Sequence, residues 1–245
     1  MTVLKVLTLN LHKGFAPWNR RFVLPELREA VRGLHADIVF LQEVLGGHEL
    51  HALRYKDWPG VPQYEFLADS IWGDFAYGRN AVYPAGHHGN AVLSKFPILA
   101  HQNHDASVSK RERRGLLHCR VKVAGLEVHV VCVHLALMER DRARQYELLC
   151  RLVARDVPAR APLVVAGDFN DWRRRADARL EVAGLREAFV TLHGASARSF
   201  PARWPLVPLD RVYLRNARAV SASVHSMRPW SHLSDHVPLS VEVQL

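Results

Sequence analysis

Residues able to bind a cation, move a proton or donate hydrogen bonds stand at the ends of short apolar runs in this chain. Thr8-Leu9-Asn10 closes one run, Leu41-Gln42-Glu43 a second, Val133-His134 a third and Gly167-Asp168-Phe169-Asn170 a fourth, and Ser234-Asp235-His236 precedes the last. The ends of sheet strands can hold side chains rigidly toward one pocket, so this placement suits a site. Singly each motif reads blandly, a Glu after a strand as a solvated loop residue and a lone His as a satisfied surface or core group. Together they supply carboxylates, amides and imidazoles in the combination that hard-cation phosphate chemistry needs. Such chemistry requires in-line positioning of water and neutralisation of charge growing on non-bridging oxygens, and no covalent intermediate.

The elements that must position these groups follow from hydrophobic patterning. Runs rich in Val, Leu and Ile at Val3–Leu9, Ile38–Leu41, Ala91–Leu93, Leu116–Val123, Val128–Leu135, Leu163–Ala166, Arg211–Leu214 and Val237–Val243 read as strands. Leu24, Leu27, Val31 and Leu34 have helical spacing behind Pro25, and Arg142–Arg155 places Tyr146, Leu149 and Val153 on one helical face. Gly46–Pro62 and Tyr77–Gly89 read as irregular loops over the site. With 245 residues, 49% hydrophobic and 23% charged, no Gly/Ser linker and no repeat, residues 1–245 are expected to form one mixed α/β domain. The three cysteines, Cys119, Cys132 and Cys150, are odd in number and set among apolar residues, so they read as reduced core thiols. No run approaches a membrane span, and a signal peptide at the amino terminus would remove Asn10, so a cytoplasmic protein, and a monomer, is expected. The net charge of +9 suits a phosphate-bearing partner, nucleic acid or anionic phospholipid, although Arg richness can equally reflect codon composition.

The ordered set Leu9-Asn10, Gln42-Glu43, Val133-His134-Leu135, Gly167-Asp168-Phe169-Asn170, Leu209-Asp210-Arg211-Val212 and Ser234-Asp235-His236 resembles the motif series of the endonuclease/exonuclease/phosphatase superfamily. Tyr77–Leu93, with His87-His88-Gly89-Asn90, resembles a bacterial subgroup of it. The resemblance implies a four-layer α/β/β/α sandwich of two mixed sheets flanked by helices, with the site at one edge. It implies that Glu43, with Asn10 and Asp235, holds Mg²⁺ or Mn²⁺, and oxygen ligands without thiolate suit such a cation better than zinc. It further implies that His236 is oriented by Asp210, that Asp168 orients or deprotonates water, that Asn170 holds a phosphate oxygen, and that His134 stabilises the phosphate or protonates the leaving oxygen. Which of Asp168 and His236 takes the proton stays open.

Substrate contacts are expected from Arg113 and Arg114, from Asn90 toward His134 or a phosphate, and from Trp172 and Arg173 in the Trp172-Arg173-Arg174-Arg175 stretch that follows Asn170. For that stretch a solvated loop with Trp172 plugging the core is the alternative. Pro208-Leu209-Asp210-Arg211-Val212-Tyr213 and His134 differ from abasic-site endonucleases, and no apolar membrane-docking hairpin stands out. The expected function is metal-dependent hydrolysis of a phosphodiester in nucleic acid or a phospholipid headgroup. The alternatives are a small-molecule phosphatase, such as one acting on inositol phosphates, and a silent protein that only binds nucleic acid or membrane.

Overall fold

The computed structural model describes residues 2–109 and 112–245. Two six-stranded sheets face each other. One runs β11 (Arg218–Val224), β12 (Leu239–Gln244), β1 (Val3–Asn10), β2 (Ile38–His48), β4 (Gly86–Ser94) and β3 (Asp74–Tyr83). The other runs β5 (Ile98–Asp105), β6 (Gly115–Val123), β7 (Leu126–His134), β8 (Leu163–Asp168), β10 (Asp210–Arg215) and β9 (Arg186–Glu187). Both are mixed: β1 is parallel to β2 and antiparallel to β12, and β7 is parallel to β8 and antiparallel to β6. Helices α1 (Leu24–Gly33) and α3 (Gln63–Ala68) cover the first sheet, and α4 (Glu139–Asp156) and α5 (Arg175–Val182) the second. Two short helices, α2 (Glu49–Arg54) and α6 (Ala188–His193), complete the order.

The central strands are apolar on both faces because each lies between a facing sheet and a helix layer. In β1, Leu4 and Val6 enter the core between the sheets, and Leu7 and Leu9 pack under α1 with Leu24, Leu27 and Val31. In β7, Val128, Val130 and Cys132 face the first sheet, and Val131 and Val133 face Tyr146, Leu149 and Val153 of α4. Side chains alternate along a strand, so Asn10, His134, Asp168 and Asp210 continue the rows that point into the gap between the sheets. The site is therefore the polar rim of the inter-sheet core.

The structure corrects two expectations. Tyr77–Gly89 is not an irregular loop: it is the turn and flanking arms of the β3–β4 hairpin, whose main-chain ladder runs from Asp74↔Ser94 to Tyr83↔Gly86. Gly46–Pro62 likewise contains the end of β2 and all of α2. Glycine and polar residues mask these elements in a reading based on apolar periodicity. Cys119 and Cys132 are buried and free, whereas Cys150 on α4 is free but only half-buried. Among the described residues no helix is long and apolar enough to cross a membrane.

Gly167 lets β7 and β8 close up beside the site. Its φ is +147°, and a Cβ there would lie 1.9 Å from the Val133 carbonyl oxygen. Gly167→Ala should force apart the strands that present His134 and Asp168, costing about 2–3 kcal/mol of stability. A lower urea midpoint at an unchanged slope would report this, and an unshifted midpoint would contradict it.

Candidate active site

Register brings three of the expected residues side by side. His134 is paired with Asp168 across β7 and β8, and Asp168 with Asp210 across β8 and β10. The facing sheet supplies Asn10, whose Nδ2 donates to Asp168 Oδ2 at 3.2 Å. His134 Nε2 lies 3.5 Å from the same oxygen and His236 Nε2 3.8 Å from it, while the Asn170 backbone N–H donates to Asp168 Oδ1 at 2.9 Å. His236 Nδ1 pairs with Asp210 Oδ2 at 2.7 Å, which leaves Nε2 facing the pocket. The Ser234 hydroxyl donates to the Asn10 carbonyl at 2.7 Å and accepts the His236 N–H, pinning the final loop to β1.

Burial sets the charge states. It raises the Asp168 carboxyl to about 7, with His236 opposing the shift and Asp210 adding to it. Burial alone would lower the His236 imidazolium, but Asp210 and then Asp168 outweigh it and carry the ring up to about 10. His134 is driven well below its usual value by burial, and next by the Arg114 cation. The pocket thus holds one charged imidazole and one neutral one, although the two residues have the same side chain.

Glu43 reaches the pocket through a β-bulge. Between the pairs Leu41↔Ala91 and Val44↔Gly89, β2 has two residues, Gln42 and Glu43, opposite the single Asn90, and Glu43 has φ +55°. The bulge turns Glu43 out of the sheet while Gln42 stays buried, bridging the layers to Thr8 Oγ1 at 3.3 Å and Cys132 Sγ at 3.4 Å. A 3₁₀ turn after β1 sets Lys13 Nζ 3.7 Å from Glu43 Oε2 and His12 Nε2 3.9 Å from Asp235 Oδ2. Neither Lys13 nor His12 was expected at the site. Their nearness to Asn10 in sequence was visible, but only the turn brings them onto the carboxylates.

Among the described residues, His104, His118 and Asp156 have ligand atoms within 4.8 Å of one another, but they lie on β5, β6 and α4, apart from the motif residues. Two further groups lie among the motif residues. Asp168, Asp210 and His236 offer ligand atoms within 4.8 Å of one another. In that trio His236 Nδ1 and Asp210 Oδ2 are already committed to each other by their 2.7 Å hydrogen bond. Glu43, Asn10 and Asp235 are oxygen donors with no thiolate, the type that suits a hard divalent ion; Asn10 Oδ1 accepts the His12 backbone N–H at 3.0 Å, Glu43 faces Lys13 and Asp235 faces His12.

The remaining candidates divide. Asn90 makes no hydrogen bond to His134 among the described residues. Its Nδ2 donates to the carbonyls of Gly115 and Cys132, and its buried Oδ1 has no hydrogen-bond partner among the described residues. Arg114, held by Glu112 at 2.5 Å, is close enough to depress His134, whereas Arg113 is exposed. Asn170 donates through Nδ2 to the Leu135 carbonyl at 2.9 Å. Trp172 is exposed and plugs no core, and Arg173 lies 3.7 Å from Glu139. Arg174 pairs with Asp177, and Arg175, the first residue of α5, pairs with Glu139, so the three cations each face a carboxylate. His88 is missing from the expected contacts, yet it lies near Glu43 and Arg114, and burial, then Lys13, lowers it to about 4.

Residues 7–236 match the family described as the Endonuclease/Exonuclease/phosphatase family. The chain is 55% identical over 244 residues to the protein "Uncharacterized protein YbhP" of Escherichia coli (strain K12), covering 98% of this chain and 96% of that one. Among solved structures, it resembles an endonuclease/exonuclease/phosphatase from Beutenbergia cavernae DSM 12333 with a TM-score of 0.77 at 22% identity, covering 99% of this chain and 72% of that one. It also resembles humanized D. rerio TDP2, with a TM-score of 0.74 at 18% identity, covering 99% of each chain. At these identities the structural matches establish the shared fold.

Removing the carboxylate that charges His236 should be visible directly. In metal-free Asp210→Asn protein, NMR titration should show the His236 ring losing its proton well below the wild-type value of about 10. Because the folded value exceeds the unfolded 6.5, the pair stabilises the wild type fully below pH 6.5 and fades as pH rises through about 10. The melting-temperature gap between wild type and variant should therefore shrink from neutral to strongly alkaline pH. A gap that widens there would refute the assignment.

Proposed function

The chain belongs to the endonuclease/exonuclease/phosphatase family, and on that premise we propose that it is a divalent-metal-dependent phosphoesterase that cleaves a phosphodiester, in nucleic acid or a phospholipid headgroup, by attack of water. The family is one of hydrolases, nucleases and phosphatases. The observation that carries the reading is the convergence of His134, His236 and Asn10 on one buried carboxylate, Asp168, with Asp210 locked to His236.

Glu43, Asn10 and Asp235 would hold Mg²⁺ or Mn²⁺. When bound, the ion neutralises charge on the phosphate oxygens and helps to place the water. His236, kept protonated by Asp210, donates to a phosphate oxygen, and being charged already it cannot accept the proton of the attacking water. Asp168 is the acceptor, since burial leaves its carboxylate basic enough to take that proton near neutral pH. Neutral His134 offers an N–H toward the phosphate or the leaving oxygen, and Arg114 adds positive charge behind it. Asn170, with one amide hydrogen left after its bond to Leu135, and Asn90 Oδ1 complete the polar lining.

Turnover of bis-p-nitrophenyl phosphate with Mg²⁺ or Mn²⁺, and its loss with EDTA, tests the class. Failure to turn over any ester in a panel of DNA, RNA, phospholipids and inositol phosphates would leave the silent binding protein. Preference for phosphomonoesters would make the chain a small-molecule phosphatase. Glu43→Gln should weaken the metal dependence while the melting temperature of the metal-free protein changes little. Asp168→Asn and His236→Ala should each lower kcat by roughly a hundredfold or more, with the double variant far from additive. A His236→Ala enzyme at wild-type rate on every substrate would end this reading.

A further inference from the structure

The ends of β1, β2, β7, β8 and β11 and the starts of β10 and β12 lie at one edge of the sandwich, so the loops springing from that edge encircle the pocket mouth. These loops carry large apolar side chains in water: Trp18 after β1, Leu137 and Met138 after β7, Trp204 ahead of β10 and Met227 between β11 and β12, all 67–83% exposed. Leu206, in the loop ahead of β10, is exposed as well, and the other large apolar residues more than three-fifths exposed among the described residues are Leu50 and Leu53 on α2, Val82 near the end of β3 and Val182 at the end of α5. Such a concentration around one opening marks an interaction surface.

Charge accompanies it. Arg20, Arg140 and Arg203 alternate with the apolar residues and have no ion-pair partner among the described residues, unlike Arg173, Arg174 and Arg175. A cavity of about 420 Å³ between Trp18 and Trp204, bordered by Arg203, reaches His12 and Asp235, so the rim is continuous with the site. Indole rings could stack on bases, but Leu137, Met138 and Met227 have no ring to stack. Scattered Trp, Leu and Met tips with free guanidinium groups fit a lipid–water interface, where indoles sit at headgroup depth, aliphatic tips enter the acyl boundary and arginines meet lipid phosphate.

We propose that this rim docks the protein on an anionic phospholipid bilayer and that the phosphodiester it cleaves is a phospholipid's. The second clause rests on the phosphoesterase reading and the first does not. No docking hairpin stands out in the sequence because the surface is assembled from separate loops, each carrying one or two apolar residues.

Co-sedimentation with phosphatidylcholine vesicles, with and without phosphatidylglycerol, tests the docking. The wild type should bind the phosphatidylglycerol vesicles. The triple variant Met138→Ser, Trp204→Ser, Met227→Ser should lose binding by about tenfold or more. Arg20→Gln, Arg140→Gln, Arg203→Gln should lose most of the preference for the anionic lipid, also about tenfold or more. Both should keep wild-type melting temperatures and bis-p-nitrophenyl phosphate turnover, and phospholipid hydrolysis should fall with vesicle binding. Wild-type protein that turns over the soluble ester but does not sediment with anionic vesicles would overturn the docking and leave the chemistry standing. Binding of single-stranded DNA in place of vesicles, lost in the apolar variant, would overturn it in favour of a nucleic-acid surface. Vesicle binding without turnover of any ester would instead sink the phosphoesterase reading alone.

Discussion

A carboxylate hidden from water must be matched on every side, and Asp168 is where this fold meets that demand. The side chain ends the inward row of β8, in the gap where the two sheets come together. Asn10 reaches it from the facing sheet, His134 and Asp210 flank it in register, and the Asn170 backbone caps it from the following turn. Unmatched, a buried carboxylate of this kind would cost several kcal/mol or take up a proton. The polar set at the edge is thus both the candidate chemistry and the way in which the inter-sheet core ends without an orphaned charge.

Two backbone devices make that arrangement possible. Gly167 allows β8 to approach β7 closely enough for His134 and Asp168 to share a pocket. The bulge opposite Asn90 breaks the alternation of β2 at the one place where two consecutive residues have different tasks, Gln42 tying the layers together and Glu43 facing out. An unbroken strand would leave the direction of both to strict alternation, with no means of turning Glu43 toward the mouth.

The positive charge of the chain is unevenly available. Arginines close behind the motif residues are largely matched, Arg114 by Glu112 and Arg173 and Arg175 by Glu139, so they shape the local field more than they advertise it. Arg20, Arg140 and Arg203, without ion-pair partners among the described residues, stand among exposed Trp, Leu and Met side chains, where a phosphate-bearing surface would meet them. A net charge of +9 carries none of this distinction.

The sequence by itself determined the family and the layered fold through the ordered motif series and its resemblance, while the apolar runs, continuous because the strands are buried on both faces, pointed only to a mixed α/β domain. The resemblance also pointed to Asn10, Glu43, His134, Asp168, Asp210 and His236, and the structure brings Asn10, His134, Asp168, Asp210 and His236 together. Tertiary structure decided what depends on partners distant in the chain. The opposite charge states of His134 and His236 follow from burial, with Arg114 adding to it, at His134, and from Asp210 and Asp168 overcoming burial at His236. Lys13 stands over Glu43 because of a tight turn, the polar stretch Tyr77–Gly89 became a hairpin through pairing along its own backbone, and Glu139 claims arginines 34 and 36 residues away. Periodicity records which face of an element is apolar, and it is silent on contacts made between side chains so far apart in the chain.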